Sequence, residues 1–168
     1  MPDAAALAQL LIRNLDDAEL THRAREPLYE SRSARLARGT AAKKLGATVV
    51  VLPPGKRAVP YHLHHAEEEM FVVLEGSGAV RVAGEMLALK KGDVVFTPPG
   101  KNYPHQIVNT SDAPLKYLAI SAFEPVEICE YPDSGKFAVS ADAAPGDAGN
   151  FGIIQRKDED LDYWDGEP

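Results

Sequence analysis

Residues 55–76 read G-K-R-A-V-P-Y-H-L-H-H-A-E-E-E-M-F-V-V-L-E-G, and the pair His62-x-His64 within them restricts the fold more than any other feature. Two histidines two positions apart share a face only on an extended backbone, because side chains alternate along a strand. Glu69 follows five positions after His64, ahead of an apolar run at 71–74, so a carboxylate can return on the next strand. Imidazole and carboxylate donors together suit iron, manganese, nickel or zinc. Residues 92–109 read G-D-V-V-F-T-P-P-G-K-N-Y-P-H-Q-I-V-N, and His105, opening the last strand of that stretch, supplies a further ligand.

The surrounding chain has a β pattern from Gly46 onward. Short strands are expected at 47–52, 62–64, 70–74, 79–83, 86–89, 94–97, 105–109 and 115–121. Turn signals separate them: Pro53-Pro54-Gly55, Gly76-Ser77-Gly78, Gly84-Glu85, Lys91-Gly92-Asp93 and Pro98-Pro99-Gly100. Short strands recurring about every 8–12 residues between such signals indicate a sandwich or barrel. Residues 128–140 add a strand or two, 141–150 form a loop, 151–154 are a brief strand, and 158–162 are acidic and solvated. Tyr163 and Trp164 are expected to pack the tail onto the barrel or a partner subunit.

The two histidine stretches resemble the paired motifs of the cupin superfamily. The first reads Gly55, six residues, His62-x-His64, four residues, Glu69, six residues, Gly76. The second reads Gly92, five residues, Pro98-x-Gly100, four residues, His105, three residues, Asn109. One residue more than the family pattern precedes His62, and two more precede His105, both in loops, where insertions are tolerated. The tail stretches Y-P-D-S-G-K-F (131–137) and D-Y-W-D-G-E (162–167) are similar to those of small bacterial single-domain cupins. The resemblance implies an all-β fold, the cupin double-stranded β-helix or jelly-roll barrel, with a short N-terminal helix. It implies a single domain over 1–168, with a barrel core at about 46–123, an N-terminal extension at 1–45 and a C-terminal extension at 124–168. In that barrel His105 and Glu69 turn inward, and His62, His64, Glu69 and His105 are the expected ligands of a divalent metal ion (Fe, Mn, Ni or Zn). A homodimer is also implied, in keeping with the apolar ends of the chain.

Any one of these histidines alone would more simply be a hydrogen-bonded core residue, but four donors at matching spacing favour the metal. Glu69 is preferred to Glu68 because six residues then separate it from Gly76. Glu67 and Glu68 are expected in solvent, His65 on the outer face and His22 at the surface. Phe71 and Ile107 should line an apolar pocket with Tyr103 at its edge. Tyr61, Gln106, Arg81, Lys101 and Tyr117 are further polar groups on or near barrel strands.

Toward the N-terminus, Leu7, Leu10, Leu11 and Leu15 make an apolar stripe on a short helix capped by Asp3, expected to pack on the barrel or across a dimer. Residues 21–45 are rich in arginine (Arg23, Arg25, Arg32, Arg35, Arg38). An edge strand at 31–37 fits there, since basic side chains discourage unwanted pairing. Those arginines are expected on a solvated face rather than in a phosphate site.

A formal net charge of −7 disfavours nucleic acid and anionic membranes as partners, and no helix-turn-helix precedes the barrel. No run approaches the roughly 20 apolar residues of a membrane span, and the start lacks a basic leader, so a cytoplasmic protein is expected. The one cysteine, Cys129, excludes an internal disulfide and reads as a small packed residue in an apolar strand. These features point to a metal-binding cupin, an enzyme of oxygenase or Lewis-acid type on a small organic molecule. One alternative is a sugar-phosphate isomerase, which needs a cationic or Ser/Thr-lined pocket facing the metal, with Lys101, Arg81 and Lys116 the nearest basic residues. The other is a non-enzymatic ligand-binding or sensory module.

Overall fold

The structure, a computed structural model, describes residues 3–142, 150–156 and 161–167. A helix, α1 (Ala4–Leu11), comes first, then β1 (Thr21–Arg25), β2 (Tyr29–Arg35) and β3 (Leu45–Leu52). The histidine region contains β4 (Leu63–His64), β5 (Glu69–Glu75), β6 (Ser77–Val82) and β7 (Glu85–Lys90). There follow β8 (Val94–Thr97), β9 (His105–Val108), β10 (Leu115–Ala122), β11 (Val126–Tyr131), β12 (Lys136–Ala141) and β13 (Phe151–Arg156).

The strands form a six-stranded sheet in the order β1-β2-β3-β10-β5-β8, a three-stranded sheet β7-β6-β9 and a four-stranded sheet β13-β12-β11-β4. Distant strands pair: β3 with β10, β5 with β10, and β6 with β9, all antiparallel. The result is a jelly-roll barrel, which buries one face of each sheet. Val50, Leu52, Phe71, Val73, Val80, Leu89, Ile107, Leu115 and Tyr117 fill its interior. Most are β-branched or aromatic, the residues that pack well on a pleated surface. At the β6–β7 hairpin Ala83 and Gly84 both take positive φ, 49° and 89°, as the tightest hairpin turn requires. The buried Tyr61 hydroxyl accepts the Gly84 amide there at 3.1 Å. Asn109 closes β9 differently: its side-chain amide donates to the carbonyls of Leu52 (2.9 Å) and Ala113 (2.8 Å), tying the loop after β9 to β3.

Several expectations change. Asp3 does cap α1, its carboxylate accepting the Ala6 amide at 2.8 Å, but the helix buries no residue, and Leu7, Leu10 and Leu11 are exposed. Main-chain and arginine hydrogen bonds, not an apolar seam, fix its end: Leu10 accepts from Ala41, and Arg13 reaches Gly39. The strand expected at the edge is β2, flanked on both sides; the edge is β1. His22 is exposed but has a partner, Glu30, at 3.2 Å. Residues 131–136 turn β11 into β12, and β13 adds to β12. Cys129 is buried as expected, and burial pushes its thiol up to about 11, which keeps it unreactive. Tyr163 and Trp164 are 84% and 69% exposed and stack edge-on at 4.9 Å, so they do not pack onto the barrel. Residues 143–149 of the expected loop and 158–160 of the acidic stretch lie outside the described residues. No helix among the described residues is long and apolar enough to cross a membrane.

Candidate metal centre

The site begins with a backbone device. His62 and His105 face each other in an antiparallel bridge, exchanging N–H···O bonds of 3.1 and 2.7 Å. Each imidazole is then turned by a nearby carbonyl. His62 Nδ1 lies 2.9 Å from the Pro60 oxygen, and His105 Nδ1 lies 3.1 Å from the Tyr103 oxygen. A carbonyl only accepts, so each Nδ1 donates its proton there and each Nε2 is turned toward the cluster.

The Nε2 atoms converge on one carboxylate. Glu69 Oε2, at the start of β5, lies 2.8 Å from His105 Nε2, 3.4 Å from His64 Nε2 and 3.7 Å from His62 Nε2. The donor atoms of His62, Glu69 and His105 all lie within 4.8 Å of one another. Burial opposes ionisation of Glu69, but the His105, His62 and His64 rings outweigh it and hold the carboxyl well below the usual carboxylate range. The carboxylate is therefore charged while three imidazoles surround it.

His64 differs from the other two. Both its ring nitrogens are buried without a hydrogen-bond partner, a costly arrangement for a polar group. Its Nδ1 faces Glu127 at 3.5 Å and Glu67 at 3.9 Å, and these three side chains form a second close group. Burial disfavours the charged ring, but Glu69, then Glu127 and Glu67, outweigh it and raise the His64 pKa.

This donor set fits a divalent metal ion. Two histidines aim their Nε2 atoms at one carboxylate, a third has an orphaned Nε2, and that carboxylate is ionised. A cation there would take the place of the protons between the rings and Glu69, and would give the orphaned His64 nitrogen a partner.

The structure thus brings His62, Glu69 and His105 into one cluster and sets His64 beside it. Glu68 is exposed while Glu69 faces the histidines, as the spacing to Gly76 suggested. Glu67 is a correction: its side chain is only 14% exposed, and burial raises its pKa, with Glu127 adding to the rise and His64 opposing it. Glu127 on β11 was missed altogether. It is 6% exposed, and its carboxylate accepts the amides of His65 (2.9 Å), Ala66 (3.0 Å) and Glu67 (2.7 Å). A lone acid inside the apolar run Val126-Glu127-Ile128-Cys129 was the available signal. His65 is half-buried and pairs with Glu130 at 2.8 Å.

A cavity of about 700 Å³ opens beside the cluster, bordered by His62, Glu69 and His105. Phe71, Ile107 and Tyr117 line it; burial pushes the Tyr117 hydroxyl up, keeping it protonated. Tyr103 is not on this lining: it is 47% exposed, and only its carbonyl serves the site. Nor do the basic residues expected there face the metal cluster. Arg81 pairs with Asp133 at 2.6 Å and stacks on Tyr61, Lys116 reaches Asp16 at 2.9 Å, and Lys101 is 68% exposed. Instead, Arg13, Arg23, Arg35 and Arg38 reach the cavity from the N-terminal segment.

Residues 48–121 match the family model described as Cupin domain. An uncharacterised protein of Methanocaldococcus jannaschii is 36% identical over 84 residues, covering 48% of this chain and 65% of its own. The oxalate-binding protein of Thermotoga maritima is 39% identical over 69 residues, covering 41% of this chain and 54% of its own. The chain therefore spans less than two thirds of the length of either of these curated relatives. A solved structure described as a sugar phosphate isomerase from a cupin superfamily, from Silicibacter pomeroyi, aligns with a TM-score of 0.71 and 26% identity over 86% of this chain and 92% of that one. From the motifs, the jelly roll and the family match together, residues 48–121 are a cupin domain.

Proposed function

We propose that the chain is a metal-dependent cupin enzyme that acts on a small organic molecule held in the barrel cavity. One observation carries this reading: the donor atoms of His62, Glu69 and His105 lie within 4.8 Å of one another at the wall of a cavity of about 700 Å³. Such a volume lies in the usual range of about 300–1,000 Å³ for small-molecule sites. His62, His64, Glu69 and His105 are the proposed ligands of a divalent ion, either iron, manganese, nickel or zinc. When bound, that ion supplies a Lewis acid or, where redox-active, a centre for oxygen-dependent chemistry.

The chain's own groups do the rest. The Pro60 and Tyr103 carbonyls keep the Nδ1 protons of His62 and His105 and so hold their Nε2 atoms toward the cluster. Phe71 and Ile107 exclude water from one side. The protonated Tyr117 hydroxyl stands on the same wall and can donate a hydrogen bond to a substrate oxygen.

A second reading, a sugar-phosphate isomerase, is supported by the likeness to the Silicibacter pomeroyi structure and by the arginines on the cavity lining. The two readings share a metal requirement but differ in their need for oxygen.

Metal content of the purified protein, measured by mass spectrometry beside the His62→Ala/His105→Ala variant, tests the common core. Near-stoichiometric metal in the wild type and its loss in the variant are expected. Equal occupancy in both would remove the ligand assignment. No metal even after reconstitution would leave only a metal-free binding module. Substrate turnover that consumes dioxygen would then mark an oxygenase, and turnover without oxygen an isomerase.

A further inference from the structure

The cavity has two chemically different ends. On the six-stranded sheet the residues that line it alternate along each strand: Glu69 and Phe71 on β5, Tyr117 and Ala119 on β10, Thr48 and Val50 on β3, Ser31, Ser33 and Arg35 on β2, and Thr21 and Arg23 on β1. The cross-strand register puts them in rows. Phe71 pairs with Ala119, Ala119 with Thr48, and Thr48 with Arg35. Tyr117 pairs with Val50, Val50 with Ser33, and Ser33 with Thr21. One row thus runs from Phe71 through Ala119 to Thr48 and Arg35, the next runs from Tyr117 through Val50 to Ser33 and Thr21, and Arg23 stands opposite Ser31 in the row beyond.

The arginines at the far end are not held by protein partners. Among the described residues, the guanidinium groups of Arg23, Arg35 and Arg38 make no hydrogen bond or ion pair, whereas those of Arg57 and Arg81 on other surfaces do. Arg13 spends its guanidinium on the Gln9, Ile12 and Gly39 carbonyls and so builds the rim. Asp17 and Glu19 share that rim. Three uncommitted guanidinium groups still outnumber two carboxylates in a chain whose formal net charge is −7.

We infer that Arg23, Arg35 and Arg38, with the Ser33, Thr21 and Thr48 hydroxyls, form an anion subsite for a terminal phosphate monoester on a small substrate whose other end meets the histidine cluster. A guanidinium offers paired N–H donors that match phosphate oxygens, and its charge acts at the mouth of a low-dielectric cavity. Hydroxyls can complete the coordination of a tetrahedral dianion. The cavity volume favours a molecule with a carbon skeleton between its two ends over a diacid of oxalate size. The subsite depends on the proposed metal centre only for where the other end of the substrate lies; anion binding itself does not require the metal.

The test titrates inorganic phosphate by calorimetry, at fixed ionic strength, into chelator-treated protein. Wild type is compared with Arg23→Gln/Arg35→Gln, with His62→Ala/His105→Ala, and with Arg32→Gln, which is on β2 but not on the cavity lining. Phosphate should bind wild type, the histidine variant and Arg32→Gln alike, and the arginine pair at least tenfold more weakly. Arg23 and Arg35 are exposed, so their removal should leave thermal unfolding unchanged. Three results would overturn the subsite: no phosphate binding to wild type, equal weakening by Arg32→Gln, or loss only in the histidine variant. Arginine-dependent binding of oxalate without binding of phosphate would overturn its assignment to phosphate. Failure of the metal reading appears separately, as absence of metal from the wild-type protein while the phosphate titrations stand.

Discussion

Main-chain carbonyls aim His62 and His105, whereas carboxylates surround His64, and this difference makes Glu127 consequential. Its two oxygens take three amides of the turn after β4 and still face the His64 ring at 3.5 Å. Truncation strands those amides in a buried turn, each at a cost of about 1–3 kcal/mol. Glu127→Ala should therefore lower unfolding free energy by roughly 3 kcal/mol in denaturant titration, after partial hydration of the turn. Glu127→Gln keeps the size and one acceptor but removes the charge beside His64. Carboxylate partners of ligating histidines raise metal affinity by about 10–100-fold, so that variant should bind metal at least tenfold more weakly, and with its amide nitrogen facing one stranded N–H it should lose about 1–3 kcal/mol, less than Glu127→Ala. Undiminished affinity would confine Glu127 to holding the turn. The sequence offers His62, His64, Glu69 and His105 as candidate donors because their spacing is local to two strands and two loops. Glu127 is brought in by the pairing of β11 with β4, a long-range contact that no local pattern encodes.

Among the elements, the strands with apolar inner faces were legible and those with polar inner faces were not. β3, β5 and β10 place Val50, Phe71 and Tyr117 in the interior, so alternation and β-branched composition mark them. β1 reads Thr-His-Arg-Ala-Arg and is exposed throughout. Its inward side chains, Thr21 and Arg23, line a wet cavity instead of packing, and hydrophobic periodicity cannot register such a strand. The same physics hid the arginines, whose composition resembles a solvated face until the sheet curls over the histidine cluster. Turns obey a different constraint, and two glycines separate its parts. Gly76 and Gly84 both have positive φ, 79° and 89°. A Cβ at Gly84 meets nothing within 4 Å, whereas one at Gly76 would collide with the Pro114 carbonyl. Gly84→Ala should cost only the backbone strain, about 1 kcal/mol. Gly76→Ala should cost at least twice that, because the chain at Pro114, just before β10, must also shift. Equal losses in thermal unfolding would mean that the β5–β6 turn relaxes freely.

At the scale of the whole molecule, the proposed ligands link parts of the chain that otherwise join only through the barrel wall. Glu69 belongs to the six-stranded sheet, His64 to the four-stranded sheet and His105 to the three-stranded sheet. An ion held by all three would act as a crosslink present only in the folded state, since the unfolded chain cannot gather these donors. Binding to the native state alone stabilises it by about 2.7 kcal/mol when free metal is a hundredfold above its dissociation constant. For a chain of this size each kcal/mol moves the melting temperature by about 2–4 °C. Chelation should therefore lower the Tm of the metal-loaded protein by roughly 5–10 °C, and restored metal should recover it. The His105→Ala variant should not respond to either treatment. Its own metal-free Tm fixes the baseline for comparison, because removing one imidazole from around Glu69 also removes a group that keeps that buried carboxylate ionised. An equal chelator response in wild type and variant would place the stabilising metal elsewhere, and no response in either would contradict a crosslink between the three sheets.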